Sequence, residues 1–71
     1  MAEEIRAELV ANIARVTVEV GQVVEAGAMV VLLESMKMEI PVLAEHGGVV
    51  AEITVAEGDV VQEGDPLVIL E

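Results

Sequence analysis

Apolar and polar residues alternate with a period of two along much of this 71-residue chain. Val16, Val18 and Val20 interleave with Arg15, Thr17 and Glu19, which predicts a strand with one apolar face. Ile53 and Val55 repeat the pattern. Residues 30–33 and 67–70 are short continuous apolar runs, as expected of strands covered on both sides. Residues 39–44 read as another strand, confined to a sheet edge by Pro41. Residues 5–10 read as the first strand and His46-Gly47-Gly48 as a turn. Gly21 and Gly58 break the alternating strands, and Gly27 and Gly64 mark a second bend, where glycine supplies positive φ. No stretch has a helical period. Many short strands predict a small sandwich or flattened barrel.

The chain is also written twice. Shifted by 37 positions, residues 14–34 fall on 51–71 without a gap, and ten of the 21 positions are identical, among them Thr17/Thr54, Gly21/Gly58, Gly27/Gly64 and Glu34/Glu71. Two copies are too few for a solenoid, so the expected result is one domain over residues 1–71 with pseudo-two-fold symmetry. The same shift carries residues 35–38 beyond the C-terminus or to the N-terminus. The segment around Lys37 is therefore the symmetry mate of the gap between the chain ends. It should project from one end of the body, with both termini at the other.

Composition narrows the function. The formal net charge is −11, from 14 acidic residues against three basic ones. No basic footprint exists for nucleic acid or for an anionic membrane, and neither is expected as a partner. Cysteine is absent, which removes disulfides and thiolate zinc sites. No apolar run approaches the ~18 residues of a membrane span. The acidic start Met1-Ala2-Glu3-Glu4 lacks the basic region of a signal peptide. A cytoplasmic monomer is the expectation.

Candidate chemistry concentrates at Lys37, the only lysine, within Glu34-Ser35-Met36-Lys37-Met38-Glu39. A tight turn between apolar strands ordinarily carries Asn-Gly or Asp-Gly. Here two methionines occupy it, flexible apolar side chains better suited to docking than to folding. Ser35 and His46 form a conceivable nucleophile and base, but no third group orients them. The acids of Glu57-Gly58-Asp59 and Glu63-Gly64-Asp65 serve turn geometry and lack a calcium-loop spacing. No catalytic residue and no metal site are assigned.

The sequence ESMKM resembles the attachment motif of biotinyl domains, the biotin carboxyl carrier family. The segments Gly21-Gln22-Val23-Val24-Glu25-Ala26-Gly27 and Gly58-Asp59-Val60-Val61-Gln62-Glu63-Gly64 are similar to that family's Gly-Asp-x-Val-x-x-Gly turns. The likeness spans nearly the whole chain and extends to the short, free-standing attachment proteins of mycobacteria. It implies an all-β flattened barrel or sandwich of two four-stranded antiparallel sheets with pseudo-two-fold symmetry. Lipoyl domains share that fold but typically place Asp-Lys-Ala at the turn, so Met36 and Met38 favour biotin. Three departures stand out. Glu8-Leu9-Val10-Ala11 replaces the family's Pro-Met-Pro-Gly, with Asn12 expected to take the turn conformation. Gln22 replaces an aspartate. There is no room between Gly21 and Met29 for the thumb of some acetyl-CoA carboxylase carriers.

The resemblance implies a carrier, not an enzyme. Biotin would be joined covalently to Lys37 by a biotin protein ligase that reads Met36, Met38, Glu34 and Glu39. An ordinary lysine amine is protonated at neutral pH, so acylation needs such an enzyme. The arm would then move carboxyl groups from a biotin carboxylase to a carboxyltransferase. A lipoyl carrier, a dual acceptor of biotin and lipoate, and an unmodified interaction module remain the alternative readings.

Overall fold

The computed structural model describes residues 2–71. Among the described residues eight strands are present: β1 (Glu3–Arg6), β2 (Ala11–Val16), β3 (Val23–Glu25), β4 (Met29–Ser35), β5 (Met38–Leu43), β6 (Gly47–Ile53), β7 (Val60–Val61) and β8 (Pro66–Leu70). They form two four-stranded antiparallel sheets, ordered β1-β8-β6-β3 and β5-β4-β2-β7. The body measures 33 × 17 × 17 Å.

The repeat governs the pairing. Ile13 faces Leu33 across β2 and β4, and their equivalents 37 residues on, Val50 and Leu70, face each other across β6 and β8. Each ladder slips once, between Ile13 and Arg15 and between Val50 and Glu52. Ala14 and its mate Ala51 are thus matched bulges. The symmetry reaches beyond the repeated segment. Glu3 pairs with Leu70 as Ile40 pairs with Leu33, which makes β1 the mate of β5.

The core obeys the same relation. The eight largest fully buried side chains are four symmetric pairs: Ile13/Val50, Val30/Leu67, Val31/Val68 and Leu33/Leu70. All lie on β2, β4, β6 and β8, the inner strands of the two sheets. Burying each contributes roughly 1.5–3 kcal/mol. The two continuous apolar runs of the sequence are therefore central strands, as expected, and β5 with Pro41 is an edge strand.

Several sequence expectations need correction. The first strand is Glu3–Arg6 and not residues 5–10, because the chain bends over residues 8–10 to cross to the other sheet. The alternation at Val16, Val18 and Val20 does not mark a strand running to Gly21. The strand is Ala11–Val16, and its bulge adds one residue, so Ile13 and Val16, three apart, both point toward the core side. Val18 is buried, but Val20 is 65% exposed. Asn12 is a ladder residue paired with Glu34 and Val60, not a turn residue. Gly47 and Gly48 open β6 and do not form a turn. They are glycines because of crowding: a Cβ on Gly47 would lie 2.6 Å from the Val24 carbonyl oxygen, and one on Gly48 would lie 2.7 Å from that of Glu71. The short strands β3 and β7 lie between the paired glycine bends, too brief for any periodicity to reveal.

Candidate functional site: the Lys37 turn

Strands β4 and β5 pair down to Ser35 and Met38, leaving Met36 and Lys37 as a two-residue tip. Both have positive φ, 52° and 67°, the pattern of the hairpin turn that matches strand twist. Among the described residues they are the only non-glycine positions with positive φ. A side chain there clashes with its own backbone and costs roughly 1–2 kcal/mol per residue. The long apolar ladder of β4 and the cross-strand pairs below the tip hold the turn in place.

The tip is open. Lys37 is exposed, Met36 is 92% exposed and Met38 62%. Lys37 makes no ion pair among the described residues. One rung below, Glu34 and Glu39 face each other directly, both exposed. Like charges so placed are destabilising, and among the described residues no basic side chain is paired with them. The structure thus brings Met36, Lys37, Met38, Glu34 and Glu39 onto one hairpin.

The far end is built differently. From Met38 the chain runs the length of β5, about 20 Å, before reaching residues 45–47. There the Glu3 carboxylate accepts hydrogen bonds from the backbone N–H groups of Glu45 (2.8 Å), His46 (3.0 Å) and Gly47 (3.3 Å). Slight burial pushes the Glu3 carboxyl up, but the three amide donors and the nearby His46 outweigh it and hold it below the usual carboxylate range. Val49 and Glu71 exchange backbone hydrogen bonds at 2.7 and 2.8 Å beside this loop. The start of β1 and the end of β8 therefore lie opposite the lysine, as the repeat predicts; Met1 falls outside the described residues. Sequence reasoning missed Glu3. One hint was available, since its symmetry mate is the apolar Ile40.

Ser35 and His46 sit at opposite ends of β5, so they cannot act as a nucleophile and base. Asp59 accepts from the Ala56 N–H and Asp65 from the Gln62 N–H, each at 2.9 Å, which occupies both in stapling turns. Gln22 accepts from the Glu19 N–H at 3.0 Å. It does at the first turn what Asp59 does at the second, so that departure leaves the geometry intact. A cleft of about 460 Å³ runs between β1 and β5, lined by Glu3, Ile5, Leu9, Ile40 and His46 among others, and includes none of residues 35–38. The lysine faces solvent, not a cavity.

Fold and tip together define a presenting domain, a rigid β body that holds one primary amine in open solvent. The chain matches the Biotin_lipoyl family, "Biotin-requiring enzyme", over residues 3–70 and belongs to it. It is 54% identical to the biotinylated protein TB7.3 homolog of Mycobacterium leprae over 52 residues, 73% of each chain. It is 61% identical to the biotinylated protein TB7.3 of Mycobacterium tuberculosis over 44 residues, and this match spans 62% of each, under two thirds of that relative's length. Among solved structures, the urea carboxylase of Kluyveromyces lactis superposes with a TM-score of 0.93 at 34% identity, over 100% of this chain and 6% of that one. The lipoyl domain of the 2-oxoglutarate dehydrogenase complex from Azotobacter vinelandii superposes with a TM-score of 0.76 at 31% identity, over 94% and 95%. This is a biotin-requiring carrier domain.

Proposed function

We propose that Lys37 is the covalent attachment point for biotin. The observation that carries the reading is the tip itself: a lone lysine in a left-handed turn, between two methionines left in water. Relatives named as biotinylated proteins support it. In the joining step the deprotonated Nζ attacks the activated carboxyl carbon of biotin on a biotin protein ligase. The amide C–N bond forms, the acyl–phosphate bond breaks, AMP leaves, and the surplus Nζ proton is released to water. Met36 and Met38 give the ligase an adaptable apolar grip on both sides of the amine. Glu34 and Glu39 supply charge just below it. This chemistry draws on ATP, in keeping with a cytoplasmic setting.

The attached group would supply a ureido nitrogen able to carry a carboxyl group between a biotin carboxylase and a carboxyltransferase. The body contributes position: the ladder beneath the tip fixes where the arm starts, so delivery becomes an encounter between tethered groups. The likeness to a lipoyl domain makes lipoate the second reading, because the fold serves both groups. Intact mass of protein from its own cells separates a biotinyl increment, a lipoyl increment and none. Met36→Asp with Met38→Ala recreates the lipoyl-type tip and should shift labelling toward lipoate when both ligases compete. Unchanged biotin labelling of that variant would remove the methionines from the recognition mechanism.

A further inference from the structure

The two sheets are symmetry mates, so the outer face of one is an internal control for the other. The outer face of the lysine-bearing sheet carries Pro41, Leu32 and Arg15 in one row and Leu43 with Met29 in the next. Met29 is 38% exposed and Leu43 50%, with Pro41 exposed and Leu32 half-buried. Their equivalents on the other sheet, 37 residues away, are Glu4, Ile69 and Glu52, then Arg6 and Pro66. There Arg6 and Glu4 form an ion pair. The repeat has kept the fold and changed one face: two charged positions on one sheet are Pro41 and Leu43 on the other. Arg15 stands where Glu52 stands, exposed and without an ion pair among the described residues.

We propose that this outer face is the docking surface for the protein that acylates Lys37. The inference rests on the attachment reading above and adds the partner's footprint. Toward the tip the face ends in the Glu34–Glu39 rung, a like-charge pair that this fold leaves unneutralised. Two residues further down, about 7 Å, Arg15 is, among the described residues, a lone cation on the same face. Complementarity then specifies the partner: basic side chains beside the lysine, an apolar centre over Leu32, Pro41 and Leu43, and a carboxylate opposite Arg15. Reach selects the ligase over the later carboxylating partners. An unmodified lysine is a short tether, so the enzyme that joins biotin must hold the body in place. Once acylated, the long arm lets the body sit less strictly.

The test uses matched pairs: Leu32→Asp with Ile69→Asp, and Arg15→Ala with Glu52→Ala. Each pair alters equivalent places in the two sheets, so losses of stability, checked by thermal melting, should match within a pair. Biotinylation is followed by mass with a purified biotin protein ligase, biotin and ATP. On the lysine-bearing sheet each change should lower kcat/KM about tenfold through KM, the scale of a contributing interface side chain short of a hot spot. The mates on the other sheet should stay within about twofold. Equal effects on both sheets, or none on either, would overturn the docking face while leaving the attachment site standing. Failure of the unaltered chain to take up biotin would overturn both.

Discussion

Eight described residues have positive φ; six are glycines and two are Met36 and Lys37. The contrast separates turns that serve the fold from the one proposed to serve a partner. At Gly21, Gly27, Gly58 and Gly64 an added Cβ would meet nothing within 4 Å, so glycine is there for its backbone freedom alone. At Gly47 and Gly48 glycine also admits a close approach of the chain. The lysine tip has the same kind of backbone and no glycine. Local preference argues for Asn-Gly there, and the chain carries a methionine and an amine. Departures from local consistency tend to mark functional sites, and this one coincides with the sole lysine.

The largest effect belongs to the amine. Lys37→Arg keeps the charge and the exposed turn, so melting should be unchanged while labelling by ligase, biotin and ATP disappears. Residual streptavidin signal on that variant would break the distinction at its root. Next comes crowding. Gly48→Ala should destabilise by about 1–3 kcal/mol, because its Cβ would press on the Glu71 carbonyl. Gly21→Ala, in open space, should lose less and show only the left-handed penalty, roughly 1–2 kcal/mol. Urea unfolding orders the two, and the reverse order would show that the close approach is not what demands glycine.

A smaller change sharpens the contrast. Asn tolerates left-handed φ better than Met, so Met36→Asn should stabilise the domain by a few tenths to about 1 kcal/mol. It should slow biotinylation in the same preparation. A variant that melts no higher would mean the tip is not strained. Met38→Ala, outside the positive-φ pair, should leave stability within about 0.5 kcal/mol and still slow labelling.

The smallest expected effect lies at the far end. The Glu3 carboxyl is held below its ordinary range in the folded state. Its contribution is full above the unfolded value and is lost as pH falls through the lowered folded value. Glu3→Gln should therefore shrink the drop in melting temperature between neutral pH and about pH 3. An unaltered drop would mean the three amide donors contribute nothing to acid stability.

How much of this was legible can be judged residue by residue. The gapless repeat foretold the pseudo-two-fold body and the placement of Lys37 opposite the start of β1 and the end of β8, and the continuous apolar runs foretold the central strands at 30–33 and 67–70. Those features depend on periodicity and register, which the order of residues carries directly. The bulge at Ala14 was not legible, because one added residue looks the same in sequence whether it bulges or continues the ladder. Nor were β3 and β7, three and two residues long. Glu3 stapling residues 45–47 joins positions more than 40 apart, and no local pattern announces such a contact. The difference between the two outer faces was written in the repeat as mismatches such as Arg15/Glu52. It acquired meaning only when pairing showed which mismatches share a face. By itself the sequence determined the fold class and its symmetry and singled out Lys37 as the candidate site, since each rests on local pattern or on a residue that occurs once. Tertiary structure decided which side chains stand together, because register across strands is settled by packing both sheets on one core.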